Sequence, residues 1–311
     1  MGKILFKADK NIYKANLHCH TTVSDGEWTP EKMKEMYKAK GYSVVAFTDH
    51  NKLVNHSYLN DDGFLAINSC EVDIGQSMPG EPFSKKRVYH FNLYSPNPNA
   101  CETPALMRMD YDDINAINQY IKDRTDEGFL VCYNHPYWSL QTYEEYSKLR
   151  GCFAMEIYNH GCAVFDGNCS YSPQVYDEML RCGNEIFCLS TDDNHNRHPV
   201  DGPDNDSFGG FVMINSPSLG YSDIFNAIKQ GNFYSSQGPE IYEISIHEGK
   251  LSVKCSDVSL IVVYTDDRTC YVNKGNTINS AEFTLNGNEK YVRIMCRNKQ
   301  GLDANSNAYW L

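Results

Sequence analysis

Apolar residues along this chain come in two rhythms, and their order predicts most of its architecture. Ile12 to Leu17 and Ser43 to Thr48 are short apolar runs of strand length. Between them, Thr29-Pro30-Glu31 supplies an N-cap, a proline at the first helical position and an early acid. Met33, Met36 and Tyr37 then recur at helical spacing until Gly41 closes the segment. The result is a βαβ unit. Further strands are predicted at Phe64 to Val72, Arg87 to Tyr94, Phe129 to Pro136, Cys152 to Tyr158, Glu185 to Ser190 and Gly209 to Ile214. Helices are predicted over Asp113 to Glu127, Pro173 to Cys182 and Ser222 to Gln230, each followed by glycine. Asp73 to Ser84, rich in Gly, Pro and Ser, reads as a loop. Alternation of this kind implies an α/β fold whose parallel sheet closes into a barrel.

The texture changes after Gln237-Gly238-Pro239. Short alternating runs such as Tyr242 to Ile246, Leu251 to Val253, Leu260 to Tyr264 and Tyr291 to Met295 are divided by the turn signals Glu248-Gly249 and Asn286-Gly287. Two domains are expected, residues 1–236 and a small all-β, sandwich-like domain over residues 237–311.

Composition narrows the function. The net charge is −12, and from Glu240 onward 8 basic residues face 9 acidic ones, so 11 of the excess negative charges precede that point. A groove tracking a nucleic-acid polymer needs a basic stripe, so such a partner is not expected. An acidic chain can still act on phosphates when metal ions provide positive charge locally. The first residues, Met-Gly-Lys-Ile-Leu-Phe-Lys, do not resemble a signal peptide, and no apolar run reaches the ~20 residues of a membrane span. The 12 cysteines include no C-x-x-C pair and read as reduced thiols, which implies a cytoplasmic protein.

Histidine placement carries the chemistry. His18 and His20 stand two apart at the end of a strand, a spacing that turns both to one face. Asp25 follows in a loop that Gly26 lets turn sharply. His50, His90, His135 and His195 also fall in or just after apolar strands, joined by Glu71 and Asp193. One histidine on a strand is more often a satisfied core residue than a ligand. This many imidazoles and carboxylates gathered at strand ends would be hard to bury without a cation. His56 and His247 lack that setting and are expected at the surface, while His160 and His198 are expected at the rim. Cys19 points away from its two neighbours and packs. Asp49 suits a supporting role or a helix cap, and Asp193, two residues before His195, is preferred to Asp192 as a ligand.

Taken in order, His-x-His, Ser-Asp-Gly, Thr-Asp-His, a later Glu, Tyr-His-Phe, Asn-His-Pro and Asp-x-His resemble the PHP (polymerase and histidinol phosphatase) family of metal-dependent phosphoesterases. The resemblance spans roughly residues 15 to 236, including Phe208-Gly209-Gly210. It implies a distorted (β/α)7 barrel holding up to three metal ions on His18, His20, Asp25, His50, Glu71, His90, His135, Asp193 and His195. Asn134-His135-Pro136 stands where Ala-His-Pro is common, and the motif leaves the choice between Asp192 and Asp193 open.

A set of six imidazoles and three carboxylates suits two or three Zn, Mn or Fe ions. The implied reaction is hydrolysis of a small phosphate mono- or diester by a hydroxide bridging the metals, with Glu71 between two ions and Asp193 and His195 beside it. Arg197 and His198 are candidates for the phosphate or the leaving group. Tyr137, Trp138 and Glu156 are candidate pocket residues. One alternative is hydrolysis of a C–N or C–O bond, since His-x-His barrels also cleave amides. Those sites usually place a carboxylated lysine where Glu71 stands. The other alternative is a binding protein that has kept its metals.

Overall fold

The computed structural model describes residues 2–8, 11–104 and 109–311. In chain order its elements are β1 (Lys3–Lys7), β2 (Ile12–Asn16), α1 (Pro30–Ala39), β3 (Val44–Phe47), β4 (Leu65–Gly75), β5 (Val88–Tyr94), α2 (Ile114–Asp126), β6 (Leu130–Tyr133), α3 (Tyr143–Tyr146), β7 (Ala154–Asn159), α4 (His160–Asp166) and α5 (Pro173–Arg181). There follow β8 (Phe187–Thr191), β9 (Phe211–Asn215), α6 (Tyr221–Lys229), β10 (Phe233–Ser236), β11 (Ile241–His247), β12 (Lys250–Thr265), β13 (Cys270–Thr284), β14 (Tyr291–Arg297), β15 (Asp303–Ser306) and β16 (Tyr309–Trp310). Local signals work as their chemistry requires. The Thr29 side chain accepts from Lys32 N at the start of α1, and Met33 and Tyr37 are buried on its inner face.

The protein is a mixed α/β structure with one large sheet and few helices. Its strands run in the order β1-β11-β12-β14-β15-β10-β9-β2-β3-β4-β5-β6-β7-β8, with β13 beside β12 and β16 beside β14. The pairs β2–β3, β3–β4, β6–β7 and β7–β8 are parallel, as the strand–helix alternation predicts. The reading of a uniformly parallel sheet is corrected at β5, which is antiparallel to both β4 and β6, and at β9, which is antiparallel to β2. The connection from β4 to β5 holds only a short 3₁₀ turn, Phe83–Lys85, and the chain returns there as a hairpin. Just past their C-terminal ends β2 and β8 are bridged: Asp193 N donates to His18 O at 2.9 Å and His20 N to Asn194 O at 3.0 Å.

Residues after 236 form strands, as their alternation predicts, but they continue the same ladder instead of building a separate pair of sheets. β10 pairs with β9 on one side and β15 on the other, and β1, from the N-terminus, pairs with β11. A cut at 236/237 therefore crosses a continuous sheet. The runs at 251–253 and 260–264 are one strand, β12, whose register with β13 shifts between Lys254 and Leu260. All 12 cysteines are free and seven are buried. No described helix is long and apolar enough to cross a membrane.

A buried ion pair fastens the C-terminal strands to the helical layer. Arg293 of β14, with its side chain 1% exposed, donates Nε and Nη2 to the two carboxylate oxygens of Asp177 on α5, both at 2.6 Å. Its guanidinium also lies 4.0 Å from the ring centre of Tyr264. Removing one partner would leave a charge stranded, at a cost on the order of 3 kcal/mol, whereas an apolar pair of similar size is close to neutral. Asp177→Ala is therefore predicted to lower unfolding stability in urea by roughly that amount. The double change Asp177→Leu with Arg293→Met should recover most of the loss. An Asp177→Ala protein as stable as the parent would show that this joint does not hold the two regions together.

Candidate metal centre

The curled sheet brings nine side chains from seven chain segments to one edge. Glu71, in β4 and 1% exposed, is at their centre. Its Oε1 is 3.0 Å from His90 Nδ1, 3.2 Å from His135 Nε2 and 3.4 Å from His18 Nε2. Its Oε2 is 3.1 Å from His50 Nδ1 and 3.4 Å from His20 Nε2. Asp193 forms a second centre, with Oδ1 at 3.1 Å from His18 Nε2 and 3.0 Å from His20 Nε2. Asp25, on the outer side, is 3.2 Å from His195 Nε2. Donor atoms fall into three overlapping groups, His20-Asp25-His50-His195, His18-His20-Glu71-Asp193 and Glu71-His90-His135. Because β5 runs backwards, His90 reaches this edge from near the start of its strand, opposite Asp73.

Backbone constraint accompanies the cluster. His135 has φ 23° and Asp193 φ 51°, conformations that cost a non-glycine residue on the order of 1–3 kcal/mol. A Cβ on Gly26 would lie 2.3 Å from His20 O, so the loop that carries Asp25 can close there only through glycine.

The residues fit a group of divalent cations. His20 Nδ1, His90 Nδ1 and Glu71 Oε2 are buried with no hydrogen-bond partner, a costly arrangement that ligation would relieve. Several histidines are also pinned at their other nitrogen. His18 Nδ1 meets Glu156 Oε1 at 2.6 Å, His135 Nδ1 meets Ser139 Oγ at 3.1 Å and His195 Nδ1 faces Asp193 O at 3.2 Å. Each then turns Nε2 inward, the usual way a protein fixes the tautomer of a ligating imidazole.

The family model described as PHP domain matches residues 16–194, more than half of the chain. The protein belongs to the PHP family. No curated protein matches it. Among solved structures, a two-domain Bacteroides vulgatus protein containing a predicted PHP-like metal-dependent phosphoesterase shares 14% identity, with 98% of each chain covered and a TM-score of 0.49. An amidohydrolase from Chromobacterium violaceum with bound sulfate and no metal shares 12% identity over 58% of this chain and 87% of its own, with a TM-score of 0.39. Family membership makes the protein PHP-like and metal-dependent in kind, with buried clusters able to bind metal.

Around the PHP cluster the structure sorts the remaining candidates. Trp138 and Arg197 line a cleft of about 440 Å³ above it. Tyr137 and His198 are exposed outside that lining. Glu156 is not a pocket residue but is buried beneath the cluster, where it also accepts from His135 N at 2.9 Å and Thr191 Oγ1 at 2.6 Å. Asp192 is turned away and saturated by Tyr37 OH and the amides of Phe208, Gly209 and Gly210, leaving Asp193 facing the imidazoles. Asp49 accepts from Thr21 N and Ser24 N and so shapes the loop carrying Asp25. His160 is half-buried and outside the cleft lining. His56, expected at the surface, is buried against Phe47, whereas His247 is exposed. Sequence reading did not find Asn134, which donates to Glu71 Oε1 at 2.8 Å, or Asp206, which accepts from His195 N at 2.7 Å. Asn134 adjoins a flagged histidine, but Asp206 lies in a polar loop with no pattern to mark it.

Charge state in the metal-free protein follows from this packing. Burial alone would lower His18, His20 and His135, but neighbouring carboxylates outweigh it; His18 ends well above its usual value and His20 at about 9. Burial holds His50 down at about 4, so it is neutral at pH 7. Burial would raise Glu71 and Asp193, yet the surrounding imidazoles keep both well below the carboxylate range. The raised imidazoles therefore favour the metal-free fold fully below pH ~6.5, an advantage lost as pH climbs through about 9 for His20. Metal uptake at pH 7 is predicted to release more than one proton per chain, because these imidazoles must deprotonate to ligate. Release should shrink by pH 9.5. An indicator-dye titration in weak buffer that detects uptake without protons at pH 7 would contradict this charge assignment.

Proposed function

We propose that this PHP protein is a metal-dependent phosphoesterase that hydrolyses a small phosphate mono- or diester. In this reading His18, His20, Asp25, His50, Glu71, His90, His135, Asp193 and His195 hold two or three divalent ions of the Zn, Mn or Fe kind. The observation that carries it is Glu71, a buried carboxylate within 3.4 Å of five imidazoles that still has one oxygen without a hydrogen bond. The bridge between the ends of β2 and β8 supports reading β2 to β8 as a distorted seven-stranded barrel with one strand reversed. Ions bound there would supply Lewis acidity at the phosphoryl oxygens and a water activated near neutral pH.

The chain's own groups provide the rest. Glu156 fixes the orientation of His18 and, through His135 N, the strained turn that presents His135. Arg197, 2.8 Å from Asp25 Oδ2, stands at the cleft wall with exposed guanidinium nitrogens free to meet a phosphoryl oxygen. Asp193 accepts from Asn159 Nδ2 at 3.0 Å, which holds its other oxygen toward His18 and His20. Amide hydrolysis of the carboxylated-lysine type finds no support, since no lysine lines the cleft among the described residues.

Glu71→Gln keeps the size of the side chain and removes its charge. It is predicted to lower bound metal per chain and to cut phosphate-ester turnover on the order of 10²-fold or more. Elemental analysis and a phosphomonoester assay on the same preparation test this. Near-normal metal and turnover in Glu71→Gln would place the site elsewhere.

A further inference from the structure

The walls of the cleft are unlike its floor. Only two phenylalanines are exposed among the described residues, Phe83 at 60% and Phe165 at 66%, and both line this cleft together with Trp138, at 38%. They come from three separate connections: the loop between β4 and β5, α4 after β7, and the turn after β6. Trp138 meets the ring of His135 edge-on at 5.1 Å and lies 5.6 Å from that of His90, and Phe83 is 6.2 Å from Trp138. An aromatic surface thus runs from the ligand cluster to the rim. Three exposed apolar rings lining one concave site mark a place where an apolar partner is received.

Charge limits the partner further. The lining holds the carboxylates Asp25, Glu71, Asp73, Asp193 and Asp206 against a single permanent cation, Arg197, which Asp25 already engages. Nothing beyond the cluster and Arg197 is available for a second anionic group.

We propose that this aromatic wall is the leaving-group subsite, and that the substrate class is the phosphate monoester of an aromatic alcohol that carries no second anionic group. The proposal rests on the phosphoesterase reading above. In the reaction the phosphorus–oxygen bond to the alcohol breaks, water supplies the replacing oxygen, and one water proton leaves on the alcohol. Phe83, Trp138 and Phe165 bind the departing ring and set specificity without touching the phosphorus.

The test compares metal-loaded protein on benzyl, ethyl, cyclohexylmethyl and 4-carboxybenzyl phosphates, whose alcohols are similar leaving groups. kcat/KM for benzyl phosphate should exceed that for ethyl and 4-carboxybenzyl phosphates by about tenfold or more, the scale expected from packing one ring on apolar surface, and that for cyclohexylmethyl phosphate by about threefold, the scale of ring–ring contact beyond burial. The combined variant Phe83→Ala, Trp138→Ala, Phe165→Ala should lose that preference, whereas Tyr143→Ala, an exposed aromatic outside the cleft, should keep it. Handling of the four esters within twofold, or a preference that survives loss of the three rings, overturns the proposal. Binding of benzylphosphonate and ethylphosphonate, measured by calorimetry, separates the two readings. If no ester turns over but benzylphosphonate binds tenfold tighter, the phosphoesterase reading fails and the aromatic subsite stands. Equal binding of the two phosphonates overturns the subsite itself.

Discussion

One buried carboxylate organises this molecule. Glu71 is withdrawn from water and faces five imidazoles, with Asp193 repeating the arrangement beside it. Polar groups this numerous are not buried for stability, because taking charges out of water costs more than an apolar core of the same volume. Their mutual attraction offsets part of that cost in the metal-free protein, which is why the carboxylates are held ionised and several imidazoles protonated. The orphaned nitrogens and oxygen left at the centre are the part that internal pairing does not satisfy.

The rest of the fold can be understood as scaffolding for that arrangement. Parallel strands bring β2, β3, β4, β6 and β8 to a common edge, and the reversed β5 lets His90 enter from its own beginning. Left-handed backbone at His135 and Asp193 turns two donors inward at positions where extended chain would carry them past the cluster. Such strain persists only where surroundings overdetermine it. Here the surroundings are specific: Glu156 on His135 N, Asn159 on Asp193, and the Asp192 carboxylate clamped by three consecutive amides just outside. The C-terminal strands contribute no donor to the three groups, but they pair with β10 and clasp α5 through Arg293.

Much of this was legible in the sequence because its signals are local. A cap, a proline and an i, i+3, i+4 stripe specify α1 within a dozen residues, and the His18–His20 spacing specifies a shared face. What escaped was set by distant partners or by absences. The hairpin direction of β5 has no local mark, because a loop of Gly, Pro and Ser does not announce whether the chain returns or crosses. β1 belongs with β11, more than two hundred residues away, so its short run could not be allocated from its own pattern. Glu156 is legible as a strand carboxylate, but only tertiary packing shows that it lies beneath His18 and not in the cleft. His56 carries no pattern that distinguishes a histidine packed on Phe47 from one in solvent.

The central claim is that a single Glu71-centred cluster binds more than one divalent ion. Anomalous diffraction from crystals grown with zinc or manganese, recorded on both sides of the metal's absorption edge, tests it most directly. The account predicts at least two metal peaks per chain, two of them within bonding distance of Glu71. A single peak, or peaks bonded to His18, His20 and Asp193 with none at Glu71, would contradict it.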